Sequence, residues 1–430
     1  MIFEFQPDKL VYGGEALGHQ AGRTVLARGV LPGERAEVED IRTAKGVVHA
    51  RALRILEPAP ERVAPPCPYF GRCGGCQYQH FGNELQVTAK QEILRETLRR
   101  LGRINWTGEI SVHTSPPWNY RNRAELKVAA TPGGEAALGF FETESNRLCP
   151  VDACLILSPR LNELLGQLRH PEWSSRLSGI SEIEILADDR DERAMLTFRG
   201  ILSPRDGERL AREALAQLPG AISVGMDDGR RLTVVGEAAL PYRVGGFTYR
   251  VSARSFFQVS RFLLPELVEA VTAETSGAVA MDLFAGVGLF TLPLARHFGQ
   301  VIAVEADPRA ARDLAANARA HALENVRAVT ETVSDFLRRC AQAEADVVVL
   351  DPPREGVGIN NLKQLLVLRP QRLAYVSCNP PTLARDLGFL VNQGYTLNSL
   401  ELFDFFPHTY HIESLAKLSR LVKNSIGMSC

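Results

Sequence analysis

The chain has 430 residues, long enough for two or three domains with a sizeable core. It is 45% hydrophobic and 23% charged with a formal net charge of −1, which fits a globular protein and excludes a uniformly basic nucleic-acid coat. An RNA partner would have to be held by a local basic patch, because phosphate contacts need clustered Lys and Arg.

The opening Met1-Ile2-Phe3-Glu4-Phe5-Gln6 lacks the basic start and apolar stretch of a signal peptide. No run of about 18 apolar residues is present, so no membrane span is expected and the protein is read as cytoplasmic. In a reducing compartment its eight cysteines are metal ligands, reactive thiols or buried fillers.

Residues 1–58 read as short strands punctuated by Gly13-Gly14, Gly18 and Pro32-Gly33, which suggests a small barrel. A proline-rich linker follows over 57–66, and Cys67, Cys73 and Cys76 come directly after it. A helix is expected over 85–101, with Ile93, Leu94, Leu98 and Leu101 on one side. Lys90, Arg95, Arg99, Arg100 and Arg103 would give it a basic surface. A mixed α/β region runs to residue 245. From 246 onward apolar strands (278–284, 301–305, 326–329, 346–350 and 372–376) alternate with helical runs such as 309–322. That rhythm predicts an α/β fold with a parallel sheet covered on both faces.

Residues 282–288 (Asp282-Leu283-Phe284-Ala285-Gly286-Val287-Gly288) follow a strand and open a helix, and Glu305 ends the next strand. The glycines let a ligand approach the backbone, and the acid suits the hydroxyls of a ribose. Thr291 stands where a dinucleotide site carries its third glycine, so S-adenosylmethionine, which has no phosphate, fits better. Asp351 in Asp351-Pro352-Pro353-Arg354 and Cys378 in Ser377-Cys378-Asn379-Pro380-Pro381 both follow strands, at the sheet edge where such folds bind ligands. A cysteine there is suited to act as a nucleophile. Carbon 5 of uracil is too weak a nucleophile to attack a methyl sulfonium until a thiolate adds to carbon 6, after which a base must take the proton from carbon 5. Residues 406–413 offer candidates, among them Glu413, which as an isolated strand residue would face solvent.

Cys67, Cys73 and Cys76, with Cys149 and Cys154 further on, allow Zn²⁺ or an iron–sulfur cluster, and spacing alone favours zinc. Tyr69, Phe70, Tyr78 and His80 are available to stack on bases or to shield a metal. Cys340 and Cys430 have no evident role.

Taken in order, Cys67-x5-Cys73-Gly74-Gly75-Cys76, Ser255-Phe256-Phe257-Gln258, 282–288, Asp351-Pro352-Pro353-Arg354, Ser377-Cys378-Asn379-Pro380 and 408–413 resemble the RNA uracil-5-methyltransferase family, and within it the iron–sulfur 23S ribosomal RNA type. The resemblance spans nearly the whole chain. It implies a TRAM domain, an OB-type barrel that binds RNA, over 1–58. A central α+β iron–sulfur domain would occupy 59–245, and a class I, Rossmann-like methyltransferase domain 246–430. It further implies S-adenosyl-L-methionine as methyl donor, Cys378 as nucleophile and Glu413 as the proton-abstracting base. Gln258, Phe284, Glu305 and Asp351 would contact the donor. Cys67, Cys73, Cys76 and Cys154 would hold a [4Fe–4S] cluster, with Cys149 left out. Tyr120-Arg121-Asn122-Arg123 matches a family stretch near the RNA path, where two arginines could hold phosphates. Leu289 departs from the pattern, since many relatives carry a polar residue there that helps hold the donor. The implied partner is a single-stranded or looped region of 23S rRNA; no obligate protein partner is implied and a monomer is expected.

Three other readings remain open at this stage. A tRNA methyltransferase would use the same chemistry, although relatives lacking the cysteines and the barrel are the ones that act on the tRNA T-loop. A cytosine-5 enzyme also uses a thiolate, in a different sequence context, while Arg354 after the two prolines argues against an adenine-N6 enzyme. The last is a non-catalytic iron–sulfur RNA-binding or ribosome-assembly factor.

Overall fold

The computed structural model describes residues 1–131, 135–273, 275–340 and 344–421, and Cys430 lies outside them. Near the N-terminus, alternating residues put Val25, Ala27, Ala36, Val38, Val48 and Ala50 on one face around Phe5. The strands that carry them form a six-stranded sheet in the order Ile2–Phe5, Arg35–Ala44, Val47–Glu57, Arg23–Arg28, Glu15–Gln20, Lys9–Val11. Register shifts bend the two long strands.

A seven-stranded mixed sheet follows in the order Leu148–Pro150, Ala136–Phe141, Arg123–Ala130, Ile180–Ala187, Ala194–Gly200, Ala221–Asp227, Leu232–Gly236. Helices Pro159–Arg169 and Pro204–Gln217 bury their apolar faces against it through Leu161, Leu165, Leu168, Leu210 and Ala214. The hairpin Leu240–Val244/Phe247–Val251 leads on to the third large sheet.

That sheet has eight strands, in the order Val326–Thr330, Phe298–Glu305, Gly277–Leu283, Val347–Leu350, Arg372–Ser377, Glu413–Arg420, Tyr395–Phe403, Ser111–His113. The first five are parallel, and Glu413–Arg420 runs against its neighbours. Helices on both faces explain why Val347–Leu350 is buried at every residue and reads as one continuous apolar run. The five strands expected from the sequence all form, with ends shifted by at most three residues. Strand order reverses between Gly277–Leu283 and Val347–Leu350, which opens a crevice at their carboxyl ends.

Several expectations are corrected. The loop after Asp282 leads into a single helical turn, Thr291–Leu294, rather than a full helix. Leu101 is 58% exposed, whereas Ile93, Leu94 and Leu98 are buried as expected. Lys90 is not on a basic surface at all: it is fully buried, and its ammonium donates to Asp404 Oδ1 at 2.6 Å and to the Phe406 carbonyl at 2.9 Å. Its helix, Asn83–Leu101, packs on helix Pro380–Asn392 at a point of close approach. A methyl group on Gly388 would lie 2.5 Å from the Gly102 carbonyl oxygen, so that position has no room for a side chain. This helix and strand Ser111–His113 thus pack onto the eight-stranded sheet and its helices although they come from the first third of the chain. No helix among the described residues is long and apolar enough to cross a membrane.

Candidate functional site

The crevice is lined first by the turn after Gly277–Leu283. Phe284 (φ 71°), Gly286 (φ 56°) and Gly288 (φ 96°) all adopt left-handed backbone, which is strained for the phenylalanine. A methyl group on Gly286 would meet nothing within 4 Å, so the backbone there faces open space into which a ligand can come close. Its N–H donates to Glu305 Oε2 at 2.8 Å, and the Asp307 N–H donates to Oε1 at 2.7 Å. Both carboxylate oxygens are thereby fixed, each with acceptor capacity left for hydroxyls of a ribose. Thr291 fills its position by donating to the buried Asp282 at 2.5 Å. Burial pushes Asp282 up to about 7, against the Thr291 hydrogen bond and with help from the Glu305 charge. Leu289 turns its side chain into the core, and its carbonyl accepts from Tyr249 Oη at 2.9 Å. The donor set suits a nucleoside carrying a positive charge.

The reactive edge lies one strand further. Ser377 pairs with Ser414 in the antiparallel ladder between Arg372–Ser377 and Glu413–Arg420, so the next residues, Cys378 and Glu413, stand side by side at the end of the ladder. Glu413 is 3% exposed, which overturns the expectation that it faces solvent. Its carboxyl has no hydrogen bond or ion pair among the described residues. Burial, and then the Asp351 charge, raise it well above the usual carboxyl range. Asp351 is pushed up to about 7 by burial and the Asp282 charge, against a hydrogen bond from Gln258 Nε2 at 3.4 Å. Burial and the Glu413 and Asp351 charges push the Cys378 thiol up to about 12, and the Arg354 guanidinium works the other way. The structure thus brings Gln258, Asp351, Cys378 and Glu413 together, with Phe284 and Glu305 along the same carboxyl edge.

The segment leading to Glu413 is held from beneath. Besides Lys90 on Asp404, Gln86 accepts from the His408 N–H at 2.7 Å, and Trp118 stacks on His408 at 3.9 Å. Burial holds His408 and His411 down at about 4, so both rings are neutral at neutral pH and neither competes with Glu413 as a charged group.

Cys67, Cys73, Cys76 and Cys154 line one cavity of about 490 Å³, together with Arg121, Arg123, Lys127, Phe256 and Arg354. Cys149 is buried in the core and does not line it. Burial raises Cys73 to about 11 and Cys76 to about 12, and raises Cys154 as well. Donors oppose this at each sulfur: the Gly75 N–H at 3.4 Å from Cys73 Sγ, the Gln79 side chain at Cys76, and the Ile156 and Leu157 N–H groups at Cys154. No three His, Cys, Asp or Glu side chains among the described residues gather as a single-ion site. A lone Zn²⁺ would need its four sulfurs within about 2.3 Å of one point. The four thiols share this cavity with N–H donors, which favour the charged form of sulfur.

Other residues singled out from the sequence divide. Tyr78 is fully buried and His80 is 3% exposed, so neither can stack on a base. Tyr69 donates to Asp152 at 2.8 Å. Arg123 is committed to Glu184 at 3.0 Å and Tyr120 and Asn122 are buried, which leaves Arg121 and Arg354 as the cavity cations without an ion pair among the described residues. Phe256 is 61% exposed at the cavity wall while its neighbour Phe257 sits in the core. No local pattern pointed to Tyr12, whose hydroxyl lies 3.5 Å from the Cys378 carbonyl oxygen.

Comparison with known proteins gives consistent results. The family model described as tRNA (Uracil-5-)-methyltransferase matches residues 233–421. The protein of Alkalilimnicola ehrlichii named 23S rRNA (uracil(1939)-C(5))-methyltransferase RlmD is 37% identical, over 97% of this chain and 96% of its own length. Its namesake in Pectobacterium atrosepticum is 35% identical, over 94% of this chain and 90% of its own. Among solved structures, the Pyrococcus abyssi tRNA (uracil-54, C5)-methyltransferase in complex with S-adenosyl-L-homocysteine superposes with a TM-score of 0.76, covering 97% of this chain and 100% of that one at 22% identity, which establishes the shared fold.

Proposed function

Because the chain belongs to the RNA uracil-5-methyltransferase family, and so is an S-adenosylmethionine-dependent enzyme acting on uracil in RNA, we propose that it methylates a uridine of 23S ribosomal RNA through Cys378 and Glu413. The observation that carries the mechanism is the thiol and the unpartnered buried carboxyl standing side by side at the sheet edge. The names of the two similar RlmD proteins and the four-thiol cavity support the ribosomal substrate.

S-adenosylmethionine supplies an electrophilic methyl group on a positively charged sulfonium. Gln258, Phe284, Glu305 and Asp351 are the residues that would hold it. A cation among Asp351, Glu413 and Cys378 lowers the pKa of all three, so a thiol that is neutral in the free enzyme becomes easier to ionise. The target uridine has to leave its stack to reach the edge. The Cys378 thiolate then forms a bond to carbon 6 of uracil, and the electrons of the 5,6 double bond move into an enolate across carbons 4 and 5. Once carbon 5 carries the methyl group, Glu413 takes the proton from that carbon. The electron pair left behind re-forms the double bond, the carbon–sulfur bond breaks, and the thiolate is returned.

Cys67, Cys73, Cys76 and Cys154 would hold a [4Fe–4S] cluster that fastens residues 67–76 to the segment around 154. Methyl transfer moves no net electrons, so its role there is structural or in RNA contact. Residues 1–58 act as an RNA-binding TRAM barrel, 59–245 as the cluster domain, apart from helix Asn83–Leu101 and strand Ser111–His113, which pack with the third sheet, and 246–430 as the methyltransferase domain of a cytoplasmic monomer. Arg121 and Arg354, without an ion pair among the described residues, and exposed Phe256 support an RNA path along the cavity.

The test is incubation of anaerobically purified protein and labelled S-adenosylmethionine with unmodified 23S rRNA and, separately, unmodified tRNA, followed by nucleoside analysis. Label in 5-methyluridine from 23S rRNA alone, lost in Cys378→Ala, is the expected result. Label from tRNA instead overturns the substrate and keeps the chemistry.

A further inference from the structure

The N-terminal sheet meets the catalytic edge through one turn. Tyr12-Gly13-Gly14 joins Lys9–Val11 to Glu15–Gln20, and both glycines have positive φ (111° and 85°). The turn is pressed against the segment that carries Glu413: a methyl group on Gly14 would come within 3.1 Å of the Tyr410 ring and of Gln77. The Tyr12 ring meets Tyr410 edge-on at 5.5 Å, and its hydroxyl donates to the Cys378 carbonyl at 3.5 Å. Lys9 on Glu96, at 2.5 Å, ties the same turn to the helix that supports the active site.

The hydroxyl shares its surroundings with the reactive groups. Burial comes first in raising the Tyr12 phenol far above its usual range, followed by Tyr410 and Cys378, with Glu413 adding and Arg354 opposing; Glu413 and Arg354 act on the Cys378 thiol in the same senses. The phenol is therefore a neutral donor at any physiological pH. Its one acceptor among the described residues is at the long limit of a hydrogen bond, so re-aiming it costs little.

We propose that Tyr12 is a base-positioning residue of the methyl-transfer site, supplied by the N-terminal sheet, whose hydroxyl donates to a carbonyl oxygen of the uracil bound beside Cys378. A uracil within reach of the sulfur presents two carbonyl acceptors, and this hydroxyl is the donor that lies against the Cys378 backbone. The hydrogen bond strengthens as addition of the thiolate moves negative charge onto the base oxygen. The N-terminal sheet is then part of the reaction site as well as an RNA contact. This rests on the reading of Cys378 as nucleophile.

The experiment compares Tyr12→Phe, Tyr12→Ala and Cys378→Ala in the full chain, on the RNA that accepts label. It measures kcat and KM for methyl transfer, release of tritium from RNA carrying [5-³H]uridine, and Tm. Tyr12→Phe is expected to keep the wild-type Tm and to lose about 10- to 100-fold in both methyl transfer and tritium release. Tyr12→Phe within twofold of wild type in both overturns the proposal, and if Tyr12→Ala is then impaired the side chain serves packing alone. A Cys378→Ala variant that still methylates overturns the nucleophile reading itself, and this proposal with it.

Discussion

The molecule contains two settings for buried thiols, and they differ in their neighbours more than in their burial. Cys378 and Cys76 are both pushed up to about 12, chiefly by loss of water. Around Cys378 the further influences are carboxylates, Glu413 and Asp351, which make its thiolate still harder to form. Around Cys73, Cys76 and Cys154 they are hydrogen-bond donors and other sulfurs. An acid-lined thiol awaits a reagent that brings positive charge and leaves again. Donor-lined thiols that share a cavity are, under the proposed function, ligands for a resident metal group. Under the proposed function the same side chain serves turnover in one place and permanence in the other.

The strongest way to break this comparison is Cys378→Ala. Methyl transfer to RNA should fall below detection while iron content stays at the wild-type level; retained activity would put the reaction elsewhere. Next is Glu413→Gln, expected to lower kcat by about 10²–10⁴-fold, the range of a lost general base. Because the proposed mechanism places addition of the thiolate before proton removal, an RNA–protein adduct that survives denaturing gel electrophoresis should accumulate. Cys154→Ser should leave the chemistry at the edge intact, yet cost the protein its iron and lower Tm by at least about 5 °C. Cys149→Ser should retain iron, since Cys149 lies outside the cavity.

The finest test is Asp351→Asn, which removes a negative charge from beside Cys378. Iodoacetamide alkylation of Cys378 should then reach its midpoint at lower pH, with Cys76 unmoved. The substitution should also stabilise the fold. The Asp351 pKa is raised to about 7 in the native state, so the native state holds this proton more tightly than the unfolded chain does. Stability therefore falls as pH rises from about 4 through about 7, and the gain from Asp351→Asn should grow by about 1–2 kcal/mol between pH 5 and pH 8 in denaturant titrations.

What could be read from the sequence was whatever depends on near neighbours along the chain. The parallel strands announced themselves because burial on both faces forces continuous apolar runs, and Asp351 and Cys378 could be assigned to one edge because each follows such a run. Glu413 was legible only by resemblance. Its burial is decided by antiparallel pairing with a strand ending 36 residues earlier, which no local pattern encodes. Lys90 was misread for the same reason, since its partner Asp404 is 314 residues away and a lysine among arginines looks solvated. Tyr78 and His80 sit beside the cysteines in sequence but turn into the interior, where Phe81 packs against both.

Strand Ser111–His113 covers the outer edge of Tyr395–Phe403, with Asp404 continuing the ladder onto the His113 carbonyl at 2.9 Å. Cutting the chain at residue 246 to isolate the catalytic half would strip that strand away, along with the helix that buries Lys90. The fragment would carry a bare row of backbone donors and acceptors, which recruits other chains, and an unpaired aspartate in its interior. The three sheets are therefore poor building blocks for exchange: a graft that respects their sequence order would still sever a sheet in space.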